Sequence, residues 1–88
     1  MHRWAVMAAL LLAMGALPAW ADDAEDCGNA ALVRTDPARV LAACRRLADQ
    51  GLAAAQYGLG LMYYLGQGVP QDYAEAIGWF RKAADQGQ

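Results

Sequence analysis

Residues 52–87 read LAAAQYGLGLMYYLGQGVPQDYAEAIGWFRKAADQG. Ala55, Leu59, Met62 and Tyr63 recur at three- and four-residue spacing, which predicts a helix over 52–65 with one stripe facing a core. Gly66 stands where a helix-ending glycine stands, and Gly68 and Pro70 punctuate a short connection. Asp72 is a good N-cap, with Glu75 three positions on as the second half of a capping box. From Tyr73 a second stripe follows through Ala76, Ile77, Phe80, Ala83 and Ala84, and Gly87 closes it. Arg81 and Lys82 fall in the last turns, where cations suit the helix dipole. The stretch is a helix–turn–helix hairpin.

Its ending is spelled twice. RKAADQG at 81–87 has a counterpart in RRLADQG at 45–51, 36 positions upstream. At the same shift Asp36 falls on Asp72, Ala38 on Ala74 and Cys44 on Phe80. Pro37 occupies a first helical position, where its missing N–H costs nothing. Val40, Leu41, Cys44, Leu47 and Ala48 make the stripe and Gly51 ends it, which predicts a second helix of a partial repeat over 36–51. The fold class that follows is all-α: antiparallel helix-hairpin repeats, one complete over 52–87 and one degenerate. Residues 22–35 form the degenerate N-terminal segment, poor in helix signal around Gly28 and Asn29. The acids Asp22, Asp23, Glu25 and Asp26 are expected to be mobile there.

The first 21 residues have a different character. His2 and Arg3 precede an apolar run from Trp4 to Leu17, Pro18 breaks it, and Ala19-Trp20-Ala21 has the small-x-small pattern of a signal-peptidase site. Gly15 and Pro18 cut the run short of a spanning helix. The expectation is a cleavable signal over 1–21, cut between Ala21 and Asp22, with no stable membrane insertion afterwards. Export to the periplasm or the secreted space follows. Residues 22–88 then carry six basic and nine acidic side chains, a net charge of −3. Such a balance has no electrostatic footprint for nucleic acid.

Cys27 and Cys44 both survive cleavage, and an even count in a small exported domain favours a disulfide. They lie equidistant from the turn between Thr35 and Asp36, so an antiparallel hairpin would bring them level. Two free thiols, or bridges between molecules, are the alternatives.

Ala55-Gln56, Leu59-Gly60, Met62-Tyr63-Tyr64, Gly66-x-Gly68-Val69, Asp72, Ala76, Trp79 and Lys82-Ala83-Ala84-x-x-Gly87 closely resemble the Sel-one-like repeat, a variant of the tetratricopeptide helix hairpin. The likeness covers 52–87 well and 36–51 as a second helix only; Gly58 departs from the polar residue expected there. The resemblance implies structural roles for Leu59, Gly60, Tyr63, Gly66, Gly68, Asp72, Ala76, Trp79, Ala83, Ala84 and Gly87. Leu59 and Met62 are expected to pack against Ile77 and Phe80. A partner-contacting role for Trp79 is the alternative to packing.

Outside the signal the chain has no Ser and no His, which excludes Ser–His–acid and Cys–His nucleophile systems and any ordinary zinc site. No enzyme, metal or other cofactor is expected. The reading is a non-catalytic protein–protein interaction module, an adaptor or scaffold, whose partner is another protein or the chain itself. Its concave face would come from residues 52–65, with Gln56, Tyr57 and Tyr64 as candidate contacts. A self-associating or array-capping structural unit is the alternative. A thiol-redox protein is a third reading, disfavoured because Cys44 falls mid-helix and outside any Cys-x-x-Cys turn.

Overall fold

A computed structural model describes residues 19–87; the apolar run Trp4–Leu17 and Pro18 lie outside the described residues. Five helices follow in order: α1 (Ala19–Cys27), α2 (Ala30–Thr35), α3 (Pro37–Asp49), α4 (Ala53–Leu65) and α5 (Tyr73–Gly87). Among the described residues there is no strand. α3, α4 and α5 begin and end within two residues of the bounds expected from their caps.

Local chemistry accounts for those ends. The Arg39 N–H donates to Asp36 Oδ1 at 3.3 Å, ahead of Pro37. At the end of α3 the Leu52 N–H reaches the Leu47 carbonyl at 3.1 Å, closing the last turn. Gly66 ends α4 in the left-handed region (φ 71°), and the N–H groups of Gly66 and Gln67 both donate to the Met62 carbonyl. At the start of α5 the Glu75 N–H donates to Asp72 Oδ1 at 3.0 Å. The expected capping box is only half used. The Asp72 N–H turns back to the Tyr63 carbonyl at 2.9 Å, so the cap of α5 also satisfies an orphan acceptor of α4.

The core lies between α3 and α4. Leu59 is fully buried, and Val40, Cys44, Leu47, Ala48, Ala55, Met62 and Tyr63 pack around it. α5 joins through one narrow face. Its one buried residue is Ala76, beside Gly60, and a Cβ built on Gly60 would stand 2.6 Å from the Phe80 ring. The α4–α5 loop also touches α3: a Cβ on Gly68 would meet the Pro37 carbonyl oxygen at 2.7 Å. Ile77 corrects the expected packing. It is 48% exposed rather than buried against Leu59 and Met62, because α5 has a neighbour on one side only.

The N-terminal segment is helical where poor propensity suggested otherwise, and two of its four acids, Asp23 and Asp26, are held in place while Asp22 and Glu25 are exposed. Cys27 and Cys44 form a disulfide, with Cα atoms 4.8 Å apart. Arg46 grips Asp23 with both ends of its guanidinium, at 2.9 and 2.7 Å, and Arg39 pairs with Asp26 at 3.0 Å. Three ties to α3, one covalent, thus hold a helix that has little apolar surface of its own. α1 also runs through the expected cleavage junction at Ala21 and Asp22. Gly58 sits at this bridge. A Cβ on it would lie 3.8 Å from both sulfurs, so this position faces the disulfide.

Arg46 holds the Asp23 carboxyl below its ordinary value, through its hydrogen bonds first and its charge after, against the opposing effect of burial. Stability from this pair is full above the ordinary value of 3.8 and is lost as pH falls through the lower folded one. Melting temperature should therefore drop as pH falls below about 4, with a flatter profile in Asp23→Asn, when both are followed by circular dichroism. Reducing the disulfide should cost about 3 kcal/mol, read as a fall in melting temperature. Two glycine substitutions should part in sign. Gly60→Ala overpacks Phe80 and should lose about 1–3 kcal/mol, whereas Gly78→Ala, with open space around its Cβ, should gain about 0.5–1 kcal/mol in chemical denaturation.

Candidate interaction face

α4 and α5 run antiparallel, so residues equidistant from their connecting loop come level. Tyr57 meets Phe80, with ring centroids 5.5 Å apart, and Tyr64 meets Tyr73 at 5.1 Å, both pairs tilted. Each helix supplies two of the four rings, seven residues apart, so all four lie along one face of the hairpin. The Gln71 side chain fastens the loop end of this ladder, donating to the Tyr64 carbonyl at 2.8 Å and to the Tyr73 hydroxyl at 3.1 Å. Such pairs add about 0.5–1.5 kcal/mol beyond their buried area. They hold the rings together without hiding them: Tyr57 and Tyr73 are each 55% exposed and Tyr64 is 48% exposed. At the other end of the face a groove of about 620 Å³ opens between the helices, lined by Ala53, Ala54, Tyr57, Phe80, Ala83, Ala84 and Gly87.

The internal repeat offers a comparison for this surface. Thirty-six positions upstream, Cys44 and Ala48 of α3 correspond to Phe80 and Ala84 of α5. In α3 both are buried: Cys44 lies between Cys27 of α1 and the Gly58 turn of α4, and the Gln56 amide of α4 donates to the Ala48 carbonyl. Their equivalents on α5 are open: Phe80 is partly exposed and Ala84 exposed. Among the described residues no helix lies over Phe80 and Ala84 on the α4–α5 face.

The residues singled out from the sequence divide between frame and face. Leu59, Gly60, Tyr63 and Ala76 are buried in the hairpin, Gly66 and Gly68 make the turn, and Asp72 caps α5. Arg45 donates to the Tyr63 hydroxyl and also lies near its ring. Trp79 is half-buried, with the Lys82 ammonium 4.5 Å from its ring centroid. Of the three candidate contacts, Tyr57 and Tyr64 share the exposed face. Gln56 does not. It is 5% exposed, its amide donates to the Ala48 carbonyl at 3.2 Å, and its oxygen accepts from Gln86 at 2.7 Å, so it ties α4 to both neighbours. Ile77, expected to pack against Leu59 and Met62, belongs to the face instead; Phe80 serves both, packed against the core and paired with Tyr57, and Tyr73 at the start of the same stripe is exposed. The available signal was their distance from the loop, which pairs Tyr73 and Phe80 with the two exposed tyrosines of α4.

Comparison with known proteins agrees with this geometry. Residues 53–88 match the Sel1 repeat. The chain is 44% identical over 43 residues to the chitin synthase regulator SKT5 of Malassezia restricta, and 45% identical over 42 residues to HRD3A of Arabidopsis thaliana, an ERAD-associated E3 ubiquitin-protein ligase component. It is 49% identical over 43 residues to an uncharacterized protein of Neisseria meningitidis serogroup B. These matches cover 49%, 47% and 49% of this chain but only 3%, 6% and 9% of the relatives, so the chain spans less than a tenth of each. No solved structure matches it.

Proposed function

We propose that the chain is an exported, non-catalytic protein-interaction module whose aromatic face on α4 and α5 receives a helix of a partner protein. The observation that carries this is the exposed aromatic ladder, with its groove of small residues. Contiguous apolar surface of this kind marks interaction sites, and large rings held by neighbours supply contact area at little entropic cost. Sel1 repeats generally mediate protein–protein interaction, in keeping with the regulator and the ligase component among the relatives. Tyr57 and Tyr64 are the proposed contacts, joined by Tyr73, Ile77 and Phe80.

Export rests on residues 1–21 acting as a cleaved signal, and the position of the junction supports it. Cutting between Ala21 and Asp22 removes Trp20 but retains Asp23, Asp26 and Cys27, the three residues that tie α1 to α3. The disulfide is compatible with an oxidising periplasm or secreted space. No described helix is long and apolar enough to cross a membrane. The Cys44 side is buried beneath α4, which suits a structural bridge better than thiol exchange. An array-capping role is the second reading, favoured by the 36-residue correspondence between the open face and the covered one.

Photo-cross-linking residues placed at Tyr57, Tyr64 and Ile77 of the exported protein, in living cells, should give discrete protein adducts. The same residue at Arg34 on α2 should give none. Adducts from none of the three face positions, or an equal yield at Arg34, would overturn the proposal.

A further inference from the structure

We infer that the open end of the hairpin is self-complementary: a second copy of this chain docks there, α5 against α5, antiparallel about a two-fold axis near Ala83. This rests on the reading that the face receives a helix, and it names that helix. The first argument is charge. Arg81 and Asp85 are both exposed, one turn apart, and each directly follows a groove residue, Phe80 and Ala84 respectively. Both therefore lie on the same flank of the groove. In an isologous pair each flank faces its own copy. A two-fold near Ala83 thus sets Arg81 of each copy against Asp85 of the other, twice over.

The second argument is shape. Ala83, Ala84 and Gly87 lie on the crossing line, and residues this small let two helices approach closely, as Gly60 does between α4 and α5. Phe80 of each copy then lies over the small residues near the end of the other α5, and Tyr57 closes the rim.

The third argument is what the opposite end offers. α1 exposes Trp20, Asp22, Ala24 and Glu25, so once the expected cut removes Trp20 its open positions are two carboxylates around a single alanine. Head-to-tail stacking would press carboxylates onto an alanine floor, at the cost of desolvating them without partners. The apolar face finds in itself both small residues to pack on and paired charges along its flank, so the assembly closes as a dimer rather than growing into an array. One helix pair and its rim make a small interface, and the dimer is correspondingly weak and concentration-dependent.

Sedimentation equilibrium of the purified, oxidised chain at low ionic strength, from micromolar to high-micromolar concentration, should show monomer and dimer. Arg81→Asp and Asp85→Arg should each raise the dimer Kd about tenfold, because two symmetry-related pairs turn repulsive at once. The double variant Arg81→Asp/Asp85→Arg should return to within about twofold of the parent, and added salt should weaken the parent but leave every helix signal unchanged. Both positions are exposed, and circular dichroism checks that each variant stays folded. A monomer at every concentration, or a dimer that ignores the charge swap, overturns the inference. A monomer whose face positions still capture a different protein in cells overturns the dimer alone, whereas absence of both dimer and adducts overturns the helix-receiving face as well.

Discussion

α3 and α4 each have substantial neighbours on both sides, and the contacts that α4 makes around Leu59 and Gly60 are what join the three long helices. Leu59 disappears into the layer between α4 and α3, while one residue on, Gly60 lets the Phe80 ring of α5 lie almost against the α4 backbone. The two contacts need opposite things. One demands a large apolar side chain and the other demands none at all. Gln56 serves both sides through its amide, reaching the Ala48 carbonyl on α3 and accepting from Gln86 on α5. A buried polar side chain with both ends satisfied costs little and fixes how three helices sit along one another.

At the N-terminal end the same problem is solved by different means. α1 and α2 bury few residues, so the apolar effect that holds α3, α4 and α5 is largely unavailable to them. The disulfide and the Asp23–Arg46 and Asp26–Arg39 pairs stand in for it. An isolated surface ion pair contributes little. Asp23, however, is nearly buried and held in a two-point grip, and the covalent bridge keeps the partners in register. A small domain commonly needs such a staple, because a chain of this size cannot supply enough core on its own.

The opposite end has no such closure among the described residues. α5 buries Ala76 and leaves Tyr73 and Ile77 open, along with the two tyrosines that α4 contributes to the ladder. A second helix that packs against a single neighbour can hide only part of an apolar stripe. Phe80 and Ala84 on this open side correspond by position to Cys44 and Ala48, which α4 contacts on α3, and this is the basis for proposing a helix rather than a small ligand there. The residues that α5 leaves exposed are the ones proposed for recognition.

The sequence by itself determined the three long helices, their caps, the αL turn at Gly66 and the pairing of Cys27 with Cys44 as one of several options. These depend on neighbours within a few residues along the chain, or on simple distance from a turn, and both can be counted. Tertiary structure alone decided which side of each stripe found a partner. Periodicity places Ile77 on the same face as Ala76 and Phe80, but it does not say how many helices surround α5, and so Ile77 is exposed while Ala76 is not. For the same reason Gln56 looked like a contact and proved to be a buried tie. α1 looked like a mobile acidic tail because nothing local makes it helical; its order comes from Arg39, Arg46 and Cys44, up to 23 residues away. The difference is one of range: local hydrogen bonding is written residue by residue, whereas burial depends on what the rest of the chain brings alongside.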